Sequence, residues 1–169
     1  MIVTLHSNDG VQEEIEMNKN DKGDNQIKLL DDILQLQDDS LMELMEPQDN
    51  DAKSCSSIPL PMVSGKELVS IAEFFRLCET LKKENSSEEV VKRQKSAFAN
   101  KFDVDSLIAL TIAANYINYD GLMDCTCERI ANMIRGKNSD EIREMFNIDN
   151  DISPEEDRKI SEDNQWIFA

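Results

Sequence analysis

The sequence predicts a mixed α/β (α+β) fold in which an N-terminal β-hairpin and a short edge strand lead into a series of helices. Three observations predict it. Residues 2–6 alternate around β-branched and apolar side chains and stop at Asn8-Asp9-Gly10, a turn-forming run, after which residues 11–17 resume the extended pattern. Ile58-Pro59-Leu60-Pro61 reads as extended, because each proline fixes its own φ and pushes the residue before it out of the helical region. From Ser64 onward, helix-starting signatures recur, each followed by apolar residues at helical spacing.

Each element has a chemical reason. Ile27, Leu30 and Leu34 recur at helical spacing, whereas residues 38–57 mix acids, Pro47, Asn and Ser around a Leu-Met cluster and read as a flexible acidic loop. Ser64-Gly65-Lys66-Glu67 is a capping box, and Leu68, Ile71, Phe75, Cys78 and Leu81 form the apolar stripe of a helix expected to end near Lys83. Residues 84–95 are charged and Ser-rich, a linker or a weak helix, before Phe98 and Phe102 restore apolar character. Asp103 or Asp105 can cap a helix with Leu107, Leu110, Ala114 and Ile117 on one face. Asp120 can cap the next, which carries Leu122, Ile130, Met133 and Ile134 and stops at Gly136. Ser139 can cap a short helix containing Ile142, Met145 and Phe146, and Ser153-Pro154-Glu155-Glu156 joins a capping box to proline at the first helical position.

The last helix is informative because Ile160 is its only large apolar residue across 154–165. It cannot bury a stripe, and a helix this short is marginal in water without packing. Trp166, Ile167 and Phe168 then either fold back onto the preceding helices or form a surface that a partner completes.

The chain has 169 residues, enough for one ordinary domain with a short extension. Its 35 acidic and 18 basic residues give a net charge of −17, which repels nucleic-acid phosphates and anionic lipid headgroups alike. Nucleic acid and membrane surfaces are therefore not expected partners. No apolar run approaches the ~20 residues of a membrane span, and the opening residues lack the basic-then-apolar order of a signal peptide. A cytoplasmic and nuclear location is expected. Cys55, Cys78, Cys125 and Cys127 are too few and too unevenly placed for a disulfide framework.

Little in the sequence points to catalysis or to a cofactor. His6 is the sole histidine and lies in an alternating strand, where it reads as a half-exposed strand residue rather than a general base. Cys125 and Cys127 lie two apart, hence on different sides of a helix, and no second cluster completes a tetrahedral metal site; they read as packing cysteines. Asp149, Asp151 and Ser153 imitate the opening of a calcium loop, but Pro154 stands where glycine must turn and Ile160 where the bidentate glutamate belongs. No phosphate-cradling loop or zinc-protease motif is present.

From Ile112 to Trp166 the run IAANYINYDGLMDCTCERIANMIRGKNSDEIREMFNIDNDISPEED followed by NQW resembles the S-phase-kinase-associated adaptors of SCF ubiquitin ligases. TLHSNDG, IPLP and FDVDSL are similar to family counterparts in the same order. The resemblance implies a BTB/POZ-like domain, similar to elongin C, with a short sheet covered by helices and a C-terminal two-helix extension. Residues 1–134 would then form the cullin-binding domain, with the acidic loop at about 38–57 and a charged linker at about 84–96, and residues 135–169 the F-box-binding extension. It also implies no catalysis, a cullin scaffold and F-box receptors as partners, and a RING protein reached indirectly.

By the same resemblance, Asn115 and Tyr116 match the cullin-contacting position, while a reading from residues alone has Tyr116 packing beside Ile117. Leu107, Ile108, Met133, Ile134, Phe146, Ile148, Ile152 and Trp166 match positions on or near the receptor groove, some of which can be core. The chain departs from the family at Leu77, where a tryptophan is usual, in lacking an aromatic segment near residues 97–100, and in its apolar end Trp-Ile-Phe-Ala. These departures suggest a divergent paralogue and leave a rival role open, as a structural subunit of a kinetochore or chromosome-associated assembly. Weak self-association of the free chain through its apolar groove is a further expectation.

Overall fold

The computed structural model describes residues 2–16, 27–30, 32–33 and 56–167. The expected acidic loop lies outside them apart from its last two residues, as do Met17, Leu34, Cys55 and Phe168. The chain forms two compact units, Met1–Met133 and Ile134–Ala169.

The first unit is built on a three-stranded sheet of order β2-β1-β3, formed by β1 (Ile2–Ser7), β2 (Gln12–Glu16) and β3 (Ser56–Leu60). β1 is central: it pairs antiparallel with β2 in the predicted hairpin, His6 opposite Gln12, and parallel with β3, Leu5 opposite Ile58. Val3, Leu5 and Ser7 point into the core and the residues between them are half-buried, the period of two that an alternating strand requires. β3 is an edge strand, as Pro59 demands, and begins at Ser56, inside the stretch read as loop. The hairpin turn ends at Gly10, whose φ of +86° is readily available only to glycine.

That turn also fixes the first long helix, α1 (Gly65–Lys83). Asp9 Oδ2 accepts a hydrogen bond from the Gly65 N–H at 3.0 Å, while Oδ1 accepts from the Ser7 hydroxyl. Ser64 and Glu67 complete the predicted box: the Ser64 N–H donates to Glu67 Oε2 at 3.2 Å. The Val11 and Asp9 side chains press so closely on the helix start that a Cβ at Gly65 would collide with Val11 Cγ2 and come within 2.9 Å of Asp9 Oδ1. Gly65→Ala is therefore expected to destabilise the chain by ~1–3 kcal/mol, as overpacking does, measured as a lowered urea midpoint.

The Ser7 and Gly65 hydrogen bonds hold the Asp9 carboxyl below the usual aspartate range. A carboxyl whose pKa is lower folded than unfolded stabilises the fold above its unfolded value, and loses that contribution as pH falls through the folded value. Asp9→Asn should accordingly be less stable than wild type at neutral pH. The gap should close on acidification below the aspartate range, as read from thermal melts across pH.

α2 (Glu88–Ala99) settles one of the two readings offered for residues 84–95: it is a helix, and the charged linker is confined to the turn before it. Ser87 stands at its N-cap, Glu88 and Glu89 complement the positive end of the helix dipole, and Phe98 and Ala99 anchor its far end in the core. Phe74 of α1 meets the Phe98 ring of α2 at 5.1 Å and the ring of Tyr119, just before residue 120, at 5.6 Å, so two helices and a turn share one aromatic cluster.

α3 (Val104–Tyr116) starts at Asp103, whose carboxylate accepts from the Ser106 N–H at 3.3 Å, and it buries Leu107, Leu110 and Ala114, followed by Ile117, the face predicted for it. α4 (Asp120–Ile134) starts at Asp120 itself, so that residue is the first of the helix and not its cap. Asn118, at φ +52°, turns the chain immediately before it, and the Asp120 carboxylate pairs with Lys28. Leu122 is buried on α4, while Ile130, Met133 and Ile134 are half-buried.

In the second unit, α5 (Ser139–Met145) is capped by Asn138, one residue before the expected Ser139. Asn138 Oδ1 accepts from the Glu141 N–H at 2.9 Å and the Asn138 N–H donates to Glu141 Oε2 at 2.9 Å. Only Asn138 has a glutamate at the third helical position, which the reciprocal box needs. α6 (Pro154–Asp163) has the predicted box, with Ser153 Oγ accepting from the Glu156 N–H at 3.3 Å and proline at its start. The Ser153 hydroxyl, at 2.8 Å, and the Ser153 N–H, at 3.1 Å, both donate to Glu156 Oε2 and hold that carboxyl below its ordinary range. A 3-10 turn, Gln165–Ile167, follows.

Candidate protein-binding surfaces

The first unit presents the outward side of α3. With Leu107, Leu110, Ala113 and Ala114 turned inward, helical spacing brings Ile108, Ile112, Asn115 and Tyr116 to the opposite side. Ile112 is 62% exposed and Asn115 is exposed, while Tyr116 is half-buried against the core. Tyr116 is thus packed in part against the core and exposed in part. The sequence reading had not singled out Ile112, although an apolar residue three and four positions before the Asn-Tyr pair shares its face.

Ile108, matched to the receptor side, lies half-buried on this same side, seven residues and about 10 Å along the helix from Asn115. Leu107 is fully buried in the free chain. Met133, the last residue of the first unit, is half-buried.

The second unit leaves several large apolar side chains exposed. None of the residues of α5 or α6 is buried. Ile134, Phe146 and Ile152 are half-buried, Ile148 is 55% exposed and Ile160 49% exposed. Trp166 is 75% exposed, so its ring does not fold back onto the helices. The unit is held by local bonds: Ile148 N–H to the Arg143 carbonyl at 2.8 Å, Ile152 N–H to Asn150 Oδ1 at 3.2 Å, and Asn164 Nδ2 to the Ile160 carbonyl at 2.7 Å. Such bonds fix backbone direction but leave apolar side chains uncovered, and Trp is enriched among binding hot spots.

Groups with reactive chemistry have structural settings. His6 Nε2 lies 2.8 Å from the Ser57 hydroxyl, a link between β1 and β3. Cys125 is buried, its thiol donating to the Lys95 carbonyl at 3.1 Å, and burial pushes its pKa up to about 11, so it is held as a neutral packing residue. Cys127 is exposed, which corrects its reading as a packing cysteine: two positions along the helix it points to the opposite side. Among the described residues no group of three or more His, Cys, Asp and Glu is placed to hold a metal ion, and no helix is long and apolar enough to cross a membrane.

Comparison with known proteins places this chain in a family. The family model described as "Skp1 family, dimerisation domain" matches residues 120–167, the stretch containing α4, α5, α6 and Trp166. Over 162 residues the chain is 32% identical to the S-phase kinase-associated protein 1 homolog of Tetrahymena thermophila, covering 86% of this chain and 96% of that protein. It is 36% identical over 121 residues to SKP1-like protein 1A of Arabidopsis thaliana, covering 67% and 75%. With SKP1-like protein 14 of the same plant it shares 35% identity over 127 residues, covering 75% and 83%. Similarity that runs through the sheet-bearing unit and the exposed C-terminal helices alike shows that the chain belongs to the Skp1 family.

Proposed function

We propose that this chain is a non-catalytic adaptor of an SCF ubiquitin ligase, bridging a cullin scaffold to F-box substrate receptors. The observation that carries the reading is the 32% identity along 96% of a protein named as an S-phase kinase-associated protein 1 homolog. Two sets of exposed or half-buried residues support it: Ile112, Asn115 and half-buried Tyr116 on α3 for the cullin, and exposed Ile148 and Trp166 with half-buried Phe146 and Ile152 for the receptor. Ile108, Met133 and Ile134, half-buried, belong to the receptor set as supporting residues. An adaptor with one surface per partner acts by proximity, raising the effective concentration of substrate beside the ubiquitin-charged enzyme without chemistry of its own. A RING protein would be reached through the cullin. The expected location is the cytoplasm and nucleus.

The test is purification of the tagged chain from its native cell with identification of the co-eluting proteins. A cullin together with several F-box proteins is the expected result. Recovery of neither, in favour of chromosome-associated proteins, would overturn the reading.

A further inference from the structure

α4 carries an arginine on its inward side. Leu122, Cys125 and Thr126 are buried in the first unit, and at helical spacing the same side continues through Arg129 to Met133, both half-buried. An apolar side chain at position 129 would extend the stripe. The arginine instead brings a permanent charge and a fork of N–H donors to a place partly withdrawn from water.

Among the described residues no carboxylate answers that charge. Arg76, Arg143 and Arg158 each pair with a carboxylate, and Arg93 and Arg135 are exposed, where water serves their heads. On its own helix a partner for Arg129 would stand three or four positions away, and those positions hold Cys125, Thr126, Asn132 and Met133. The adjacent Glu128 pairs with Lys92 at 3.6 Å instead. The Arg129 Nε–H is shut off from solvent and has no hydrogen-bond partner among the described residues. A buried donor left unpaired is destabilising, the more so on a charged group. With no bond to hold it, the side chain can turn its fork toward an incoming carboxylate, whose two oxygens match parallel N–H groups.

We propose that Arg129 reads an aspartate or glutamate on the F-box segment that docks beside Met133, and so selects among receptors. This rests on the adaptor reading, in which Met133 belongs to the receptor set. The test is a double-mutant cycle by titration calorimetry, using the full chain and an F-box peptide whose acidic residues are changed in turn to their amides. Arg129→Met, which keeps an apolar stem, should weaken the unmodified peptide about tenfold or more. It should leave the melting point of the free chain unchanged or raised, because an unpaired buried donor is removed. One amide change in the peptide should cost the wild-type chain a similar factor and cost Arg129→Met nothing. Arg129→Lys, a point charge without the fork, should fall between the two. Full peptide affinity in Arg129→Met, or losses that simply add for every acidic residue, would overturn the proposal and leave the adaptor reading standing. A wild-type chain that binds no F-box peptide would overturn both.

Discussion

Replacing Asn115 and Tyr116 together by lysine is expected to weaken cullin binding by on the order of 100-fold or more while the chain remains folded. Two ammonium groups placed on a contact surface must be desolvated there without partners, which costs several kcal/mol. In the free chain the same change is mild. Asn115 is exposed, and a lysine at half-buried Tyr116 can lay its aliphatic stem along the core and keep its charge in water. A loss of about 1 kcal/mol, or a melting point lower by about 3 °C, is the expected cost to the fold. F-box binding should be largely unchanged, since Ile134, Phe146, Ile148, Ile152 and Trp166 of its surface belong to the other unit and Ile108 lies about 10 Å along α3 from Asn115. Titration calorimetry against a cullin N-terminal fragment checks the first effect, and wild-type affinity for the double mutant would remove Asn115 and Tyr116 from the interface.

Trp166→Ala is expected to cost about 2 kcal/mol or more of F-box affinity, roughly a 30-fold rise in Kd, and to leave the stability of the free chain within about 0.5 kcal/mol. The asymmetry follows from exposure. A ring that is 75% exposed contributes little to the unbound fold, yet it brings a large apolar area to whatever covers it. α6, with no buried residue of its own, should show weak amide protection alone and gain protection when an F-box peptide binds, because ordering is then coupled to binding. Equal losses of stability and affinity in Trp166→Ala would make the residue structural and shift the groove toward Ile134 and Phe146.

Much of this architecture is legible in the sequence because its cues are local. The hairpin is announced by Asn8-Asp9-Gly10, the limits of α1 by the Ser64-Glu67 box and Lys83, and α6 by Ser153 and Pro154. What escaped is non-local or finely balanced. Asp9 capping a helix 56 residues away, and β3 entering beside β1 rather than β2, depend on pairing that no window of sequence contains. α2 was ambiguous because its surface is charged throughout and only its last turn is anchored, by Phe98. The shift of the α5 cap to Asn138 was readable from Glu141, since the reciprocal bond selects the residue three before it.

The binding surfaces divide in the same way. Exposed Ile148 and Trp166 stand out in a sequence too polar around them to bury them, whereas Leu107 lies on the side of α3 turned inward. Ile112 was hidden for the opposite reason: in an apolar helix run, only the burial of its neighbours shows that it faces outward. Cys127 parts from Cys125 because two helical steps reverse direction, a fact available from spacing alone.

The most direct test of the adaptor account is a three-component binding measurement with purified cullin N-terminal fragment, F-box peptide and this chain. The account predicts that cullin and F-box peptide do not associate with each other alone and co-elute as one ternary species when the chain is added, with the Asn115/Tyr116 double-lysine variant retaining only the peptide and Trp166→Ala retaining only the cullin. A chain that binds one partner but never both at once, or whose two variants lose both partners together, would contradict it.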